Sequence, residues 1–339
     1  MSQRNEWINS GAFQVAPGVH RIPLPLPSDG LRAVNVYAIE HDEGLVLIDG
    51  GWALEESRRR LETSLKELGF GLADISRFLV THVHRDHYTQ AIAVRKEFGT
   101  RVSLGIGERH TLEVLTAPGS ADRSPQLEQL RVCGAGPVIE ALRAVWKEGG
   151  HQPAEWEMPD DWIEGRAELP LSGRELLAVP TPGHTRGHLV YADLAGGLLF
   201  AGDHVLPHIT PSIGFESAPE SSPLGSYMES LKLVRELPDM RLLPAHGPVT
   251  ESVHARVDAL LEHHAERLDA CAAAVAAGSG TAYETARALT WTRRERSFDD
   301  LDVFNQMLAT TETRAHLEVL VAQGRLRSRI EDGASVYAV

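Results

Sequence analysis

The chain has 339 residues, 42% of them apolar, and a formal net charge of −14; it is long enough for one large domain with an appendage or for two domains. The acidic balance weighs against a nucleic-acid partner, because phosphate contacts need clustered Lys and Arg. No run approaches the roughly 20 apolar residues of a membrane span, Met1 to Ser10 is polar, and only Cys133 and Cys271 are present, so a cytoplasmic protein without a disulfide framework is expected.

In chain order, Val19 to Leu26 carries prolines and suits an edge strand. Val34 to Ile39 and Leu45 to Ile48 form a hairpin around Glu40-His41-Asp42-Glu43-Gly44. Leu54 to Leu68 has helical periodicity, Phe78 to Val80 is a short buried strand, Thr89 to Phe98 a helix and Arg101 to Leu104 a strand. Residues 108 to 165 read as a helical insertion, with helices at Glu108 to Leu115, Pro125 to Val132 and Val138 to Lys147. Strands return at Glu175 to Val179, Leu189 to Ala192 and Leu198 to Ala201, followed by a helix at Tyr227 to Leu237 and a strand at Arg241 to Pro244. Beyond residue 250 the pattern is helical: His254 to Ala277, Thr281 to Thr290 and Leu301 to Gln323, the last closed by Gly324. Arg325 to Ile330 and Ser335 to Val339 make a terminal hairpin. The expected division is therefore 1–250 and 251–339.

The chemistry concentrates at His82-Val83-His84-Arg85-Asp86-His87, directly after the apolar run Phe78-Leu79-Val80. Imidazoles and a carboxylate at a strand end suit zinc and other first-row divalent metals. His184 in Thr181-Pro182-Gly183-His184, Asp203 in Gly202-Asp203-His204 and His246 in Ala245-His246-Gly247 each follow an apolar segment too. His82 and His84, two apart on extended chain, point to one side; Asp86 and His87 follow a turn and can face a second metal. His184 would complete the first position, His246 the second, and Asp203 could bridge them.

This order of motifs resembles the metallo-β-lactamase-fold hydrolases over residues 15 to 250. The resemblance implies an α/β fold, an αββα sandwich with its site at one edge between two sheets. It also implies His82, His84 and His184 on metal one, Asp86, His87 and His246 on metal two, and Asp203 as the bridge. Asp86 beside His87 is similar to the glyoxalase II branch. The helical tail resembles the winged-helix-like C-terminus of the β-lactamase-like protein 2 group, which includes thioester hydrolases and an endoribonuclease.

The reading that follows is a dinuclear hydrolase of a small-molecule ester or thioester, with two divalent ions, Zn2+ by default and Fe or Mn as alternatives. The two metals would lower the pKa of a bridging water, and Asp86 would orient the nucleophile. The rival readings are a metal-dependent endoribonuclease and a mononuclear iron enzyme like the persulfide dioxygenases. Asp49 and His188 are candidates for orienting the ligands from behind, and His204 and His208 for lining the pocket. His20, His41, His110, His151, His254, His263, His264 and His316 have no ligand-like context, and surface positions are expected. Cys133 and Cys271 read as buried apolar fillers. Arg293, Arg294 and Arg296 form a basic cluster, but the tail is acidic as a whole, so packing, dimerisation or covering the site is its expected role. Trp146, Trp156 and Trp162 of the insertion are candidates for an apolar pocket wall.

Overall fold

The computed structural model describes residues 3–27, 30–117, 124–148 and 156–339. One sheet holds seven strands in chain order: β1 (Phe13–Ala16), β2 (Val19–Pro25), β3 (Ala33–His41), β4 (Gly44–Ile48), β5 (Ile75–Leu79), β6 (Arg101–Gly105) and β7 (Asp161–Ile163). The other has five, in the order β12-β11-β10-β9-β8, from β8 (Ala167–Leu171), β9 (Arg174–Pro180), β10 (Leu189–Asp193), β11 (Leu198–Gly202) and β12 (Arg241–Pro244). The pairs β4/β5, β5/β6 and β11/β12 are parallel, so each needs a crossover connection. These are supplied by α1 (Glu55–Glu67), α2 (Arg85–Phe98) and α6 (Pro223–Glu236).

Period-2 alternation shows why these strands read as continuous apolar runs. In β4, Val46 and Ile48 join the core between the sheets, whereas Leu45 and Leu47 face α1 and α2. In β11, Leu198 and Phe200 point between the sheets and Leu199 and Ala201 point outward to the helices. Both faces are covered, so no polar alternation survives. Full burial of side chains such as Phe78 and Phe200 stabilises the fold by roughly 1.5–3 kcal/mol each. The result is an αββα sandwich.

The insertion contributes α3 (Arg109–Thr116), α4 (Pro125–Val132) and α5 (Gly136–Glu148), with parts of it, including His151, outside the described residues. It also contains β7, which periodicity missed because three residues are too short to show a pattern. The same holds for β8, whose Pro170 and mixed burial hide it. Instead of standing apart, α4 and α5 pack on the C-terminal segment. That segment is α7 (Val253–Ala276), α8 (Ala282–Ala288), α9 (Val303–Ala322) and the hairpin of β13 (Arg327–Glu331) and β14 (Ala334–Ala338). One continuous core joins Leu130, Leu142, Leu231, Leu260, Leu317 and Leu320 across α4, α5, α6, α7 and α9. Among the described residues, no helix is long and apolar enough to cross a membrane.

Three expectations need correction. The strand at Val19 to Leu26 is not an edge: β2 lies between β1 and β3. Its prolines are tolerated because β1 pairs only with Val19 to Arg21 and stops short of Pro23 and Pro25. The helix after the histidine cluster starts at Arg85, four residues earlier than periodicity indicates, because its first turn carries polar ligand-type side chains. Finally, His20, His264 and His316 are buried rather than superficial. His264 on α7 and His316 on α9 meet ring to ring, with Nδ1 of the former 3.2 Å from Nε2 of the latter.

Candidate metal centre

The site forms where strand ends of the two sheets meet. Leu189 N donates to Thr81 O, Asn35 Nδ2 donates to Pro244 O and Gly247 O, and Ala245 N donates to Gly202 O. These bonds hold the segments after β5, β11 and β12 against one another. Gly202 allows the closest approach: with φ of +49°, it lies where a Cβ would stand 2.7 Å from Thr81 Oγ1 and 2.8 Å from His188 Nε2. A side chain there would push Asp203 out of place.

All seven expected ligand residues converge. His82 Nε2 and His184 Nε2 each lie 3.0 Å from His84 Nδ1. Asp203 Oδ2 stands 3.4 Å from His184 Nε2 and 4.0 Å from His82 Nε2. Donors in a tetrahedron around zinc stand roughly 3.3–3.6 Å apart, so this quartet can hold one four-coordinate cation. The second group is Asp86, His87 and His246. His246 Nε2 is 3.4 Å from Asp86 Oδ2 and 3.3 Å from Asp203 Oδ1, and His87 Nε2 is 3.7 Å from both of those oxygens. Asp203 therefore turns one oxygen toward each group.

Three atoms around the second position, two from its own group and one from Asp203, show that a cation fits. His87 Nε2, His246 Nε2 and Asp203 Oδ1 are buried with no hydrogen-bond partner. Orphaned polar atoms cost about 1–3 kcal/mol each, and one cation between them satisfies all three. The protonation pattern agrees. Burial, then the neighbouring His184, pushes His84 down to about 3, and burial pushes His184 down to about 4. Those rings are neutral and offer lone pairs. Burial also lowers His87, but Asp49, Asp86 and Asp203 outweigh it and raise it to about 10. The three carboxylates around that ring make the position electronegative, a field that favours a cation. Burial raises the Asp86 carboxyl, yet His87 and His246 prevail and keep it well below the usual carboxylate range.

The opposite ring nitrogens are fixed. Nδ1 of His184 donates to Ser212 O at 2.7 Å and Nδ1 of His246 to Ala33 O at 2.8 Å. Asp49 Oδ2 lies 2.8 Å from His87 Nδ1, while Thr81 Oγ1 contacts Asp49 and stands 3.0 Å from His82 Nδ1. Each contact leaves Nε2 as the inward lone pair. Asp49 thus contacts His87 directly and His82 through Thr81, and it also makes the turn with φ of 63°. His188 Nε2 accepts from Asp203 N at 3.2 Å, so it holds the backbone of Asp203 from behind.

Two pocket expectations fare differently. His204 is wholly buried against Tyr227, with ring centroids 5.1 Å apart, and is closed to a substrate. Its side chain points inward because the chain turns immediately after Asp203. His208 is exposed and borders a groove of about 670 Å3 with Trp7, Phe13, Arg21 and Pro248. Of the insertion tryptophans, Trp156 stacks on Tyr88 and Trp162 lies under Arg109; both pack on the core outside the seven-stranded sheet. Trp146 is exposed on α5.

Sequence reasoning missed Ser212, Ala33, Glu108, Phe215 and Glu216. The first two act through backbone carbonyls, which leave no trace in residue type. Glu108 and Glu216 are buried beside the His184 loop: Thr185 Oγ1 donates to Glu108, and Thr111 Oγ1 and Arg186 N donate to Glu216. Burial, and the nearness of Glu216, push Glu108 well up, and burial raises Glu216 to about 7. A Glu after a Gly-rich turn carried no signal of this.

Comparison with known proteins agrees with the geometry. The chain is 25% identical over 338 residues to the probable metallo-hydrolase YqjP of Bacillus subtilis (strain 168), covering 94% of this chain and 95% of that one. A beta-lactamase-like protein 2 homolog of Caenorhabditis elegans is 33% identical over 106 residues, 31% of this chain and 33% of that one. Among solved structures, a beta-lactamase domain protein from Burkholderia ambifaria matches with a TM-score of 0.81 at 26% identity, covering 96% of this chain and 94% of that one. A metallo-beta-lactamase family protein from Thermus thermophilus matches with a TM-score of 0.72 at 25% identity, covering 96% and 99%. The metallo-beta-lactamase superfamily model matches residues 29–246, a span that contains every ligand-type residue described above, and the chain belongs to that superfamily.

Proposed function

We propose that this chain hydrolyses a small-molecule ester or thioester using two divalent cations, zinc by default. The observation that carries the reading is the carboxylate of Asp203, with one oxygen directed to each donor group. A mononuclear site has no use for the second set. His82, His84, His184 and Asp203 would hold one cation, and Asp86, His87, His246 and Asp203 the other. Two such cations supply Lewis acidity, which acidifies water and polarises a carbonyl.

The side chains set the direction of the reaction. Asp86 is more exposed than Asp203, at 19% against 9%, so it is the more accessible of the two carboxylates. As a carboxylate of the second donor group it would accept a hydrogen bond from the attacking water and align it. His87 and His246, held through Nδ1, cannot rotate to accept that proton themselves. Three helices ending in a hairpin support reading residues 251–339 as a winged-helix-like unit on a catalytic unit of 1–250. Asp86 beside His87 supports the glyoxalase II-like assignment. Two free, buried cysteines fit a reducing compartment such as the cytoplasm.

The test combines elemental analysis of the purified protein with turnover of a thioester, lactone, phosphodiester and thiol-persulfide panel. Two metals per chain with thioester or ester turnover is the expected result. Phosphodiester cleavage, or oxygen uptake with the persulfide and one iron per chain, would replace this reading.

A further inference from the structure

Phe215 was not part of the sequence-based site, yet its ring centroid lies 6.3 Å from that of His84. Phe304, on the first turn of α9, meets Phe215 edge-on at 5.7 Å. An aromatic path therefore runs from a ligand of the first donor group out to the C-terminal segment. It ends on a ring that is 51% exposed. Single exposed apolar side chains are ordinary, but this one is in ring contact with Phe215, which itself contacts His84.

Both rings stand on firmly tied backbone. The loop carrying Phe215 is held by Ser212 O at His184, by Arg186 N and Thr111 at Glu216, and by Gln129 Nε2 donating to Glu216 O. Gly214 has φ of +88°, and a Cβ there would approach Thr311 O of α9 to 3.1 Å, so this loop is seated directly on α9. The first turn of α9 is fixed in turn by Asp302 Oδ1, which accepts from Asn305 N at 2.9 Å. A partly buried ring beside a polar centre, extended by an exposed one, is a ready partner for an apolar group that must leave water.

We infer that Phe215 and Phe304 form the subsite for the apolar part of the substrate, so that α9 selects a medium-length acyl or aryl group over a short one. This rests on the hydrolase reading for what lies between the two donor groups. It adds that the C-terminal helix completes the site. Phe215 touches both ends of the path, and Phe304 sets its length.

The test uses binding, which does not depend on turnover. Zinc-loaded protein is titrated calorimetrically with acetate, butyrate, hexanoate and octanoate, whose carboxylate mimics the acyl product. Affinity should rise with chain length, by up to about fourfold per methylene that becomes buried. In Phe304→Ala the octanoate affinity should fall about tenfold while acetate binding and zinc content stay as in wild type; Phe304→Leu should recover most of the loss. Equal loss for acetate and octanoate, or no chain-length dependence in wild type, would overturn the inference. So would a change of oligomeric state on gel filtration with chain-length dependence intact, since Phe304 would then be a subunit contact. Ester turnover that ignores Phe304 would sink this inference and leave the hydrolase reading standing. Phe304-dependent octanoate binding with no turnover of any panel substrate would do the reverse.

Discussion

Asp49 and His87 form a buried pair, Oδ2 to Nδ1 at 2.8 Å, although 38 positions separate them in sequence. The same carboxylate accepts from Thr81 N and Thr81 Oγ1, and Thr81 Oγ1 reaches His82 Nδ1. One acid thus orients one imidazole of each donor group.

Replacing Asp49 by Asn keeps a residue that tolerates the positive φ of 63° but removes the charge that fixes His87. The fold should survive, while zinc affinity should fall about 10–100-fold. Competition with a chelator of known affinity reads this directly. Wild-type affinity in the variant would show that Asp49 serves only its turn.

The bridging geometry separates two further variants. Asp203→Ala removes a donor from both groups and should drop the metal content from two per chain toward none. His246→Ala removes a terminal donor and should leave about one. Elemental analysis after dialysis against buffered zinc decides it, and equal stoichiometry in the two variants would contradict a bridge.

Most of the strands and all seven ligand-type residues were legible in the sequence, whereas the sandwich was implied only by the resemblance those residues carry. Strands covered on both faces become apolar runs, and those of β5, β9, β11 and β12 are followed within a few residues by a His or Asp of the donor groups. The supporting shell was legible only in part. Asp49 and His188 stood near enough to motifs to be suspected, whereas Ser212 and Ala33 act through carbonyls and Phe215 lies in a loop without periodicity. His264 and His316 were misplaced for a different reason. A histidine pair that meets across two helices looks, in one dimension, like two polar surface positions. The prolines of β2 misled in the same way, because edge character depends on where the neighbouring strand ends, and that is a tertiary fact.

Glu108 offers a test of buried acidity. Burial and the nearby Glu216 hold its carboxyl well above the usual range, while it accepts from Thr185 Oγ1. If the group is protonated at neutral pH, Gln has the same shape and charge, and Glu108→Gln should change stability by less than about 1 kcal/mol. Glu108→Ala strands the Thr185 hydroxyl and opens a cavity, and should cost about 2–4 kcal/mol. Chemical denaturation of both variants checks this. A Gln variant as unstable as the Ala variant would mean that the native group is charged.

The His264–His316 pair gives the pH prediction. Burial pushes His316 down to about 4 and His264, with the added repulsion of His316, to about 2; His263 and Arg267 nearby work in the same direction on His316. In the unfolded chain each ring takes a proton below about 6.5. Between that value and about 4 the unfolded state binds more protons, so these rings erode stability as pH falls. For His316 the full effect is on the order of 3 kcal/mol. Burial raises Glu312, one turn away, to about 7, and its contribution has the opposite sign: present at low pH, lost as pH rises through 7. The wild-type curve alone therefore mixes the two. A difference curve isolates the histidine. His316→Gln should be less stable than wild type at pH 7.5, and the gap should narrow by about 2–3 kcal/mol at pH 4.5. Denaturant titrations of both proteins at the two pH values measure it. A gap of constant size would show that His316 titrates normally in the folded protein and that its burial does not keep it neutral.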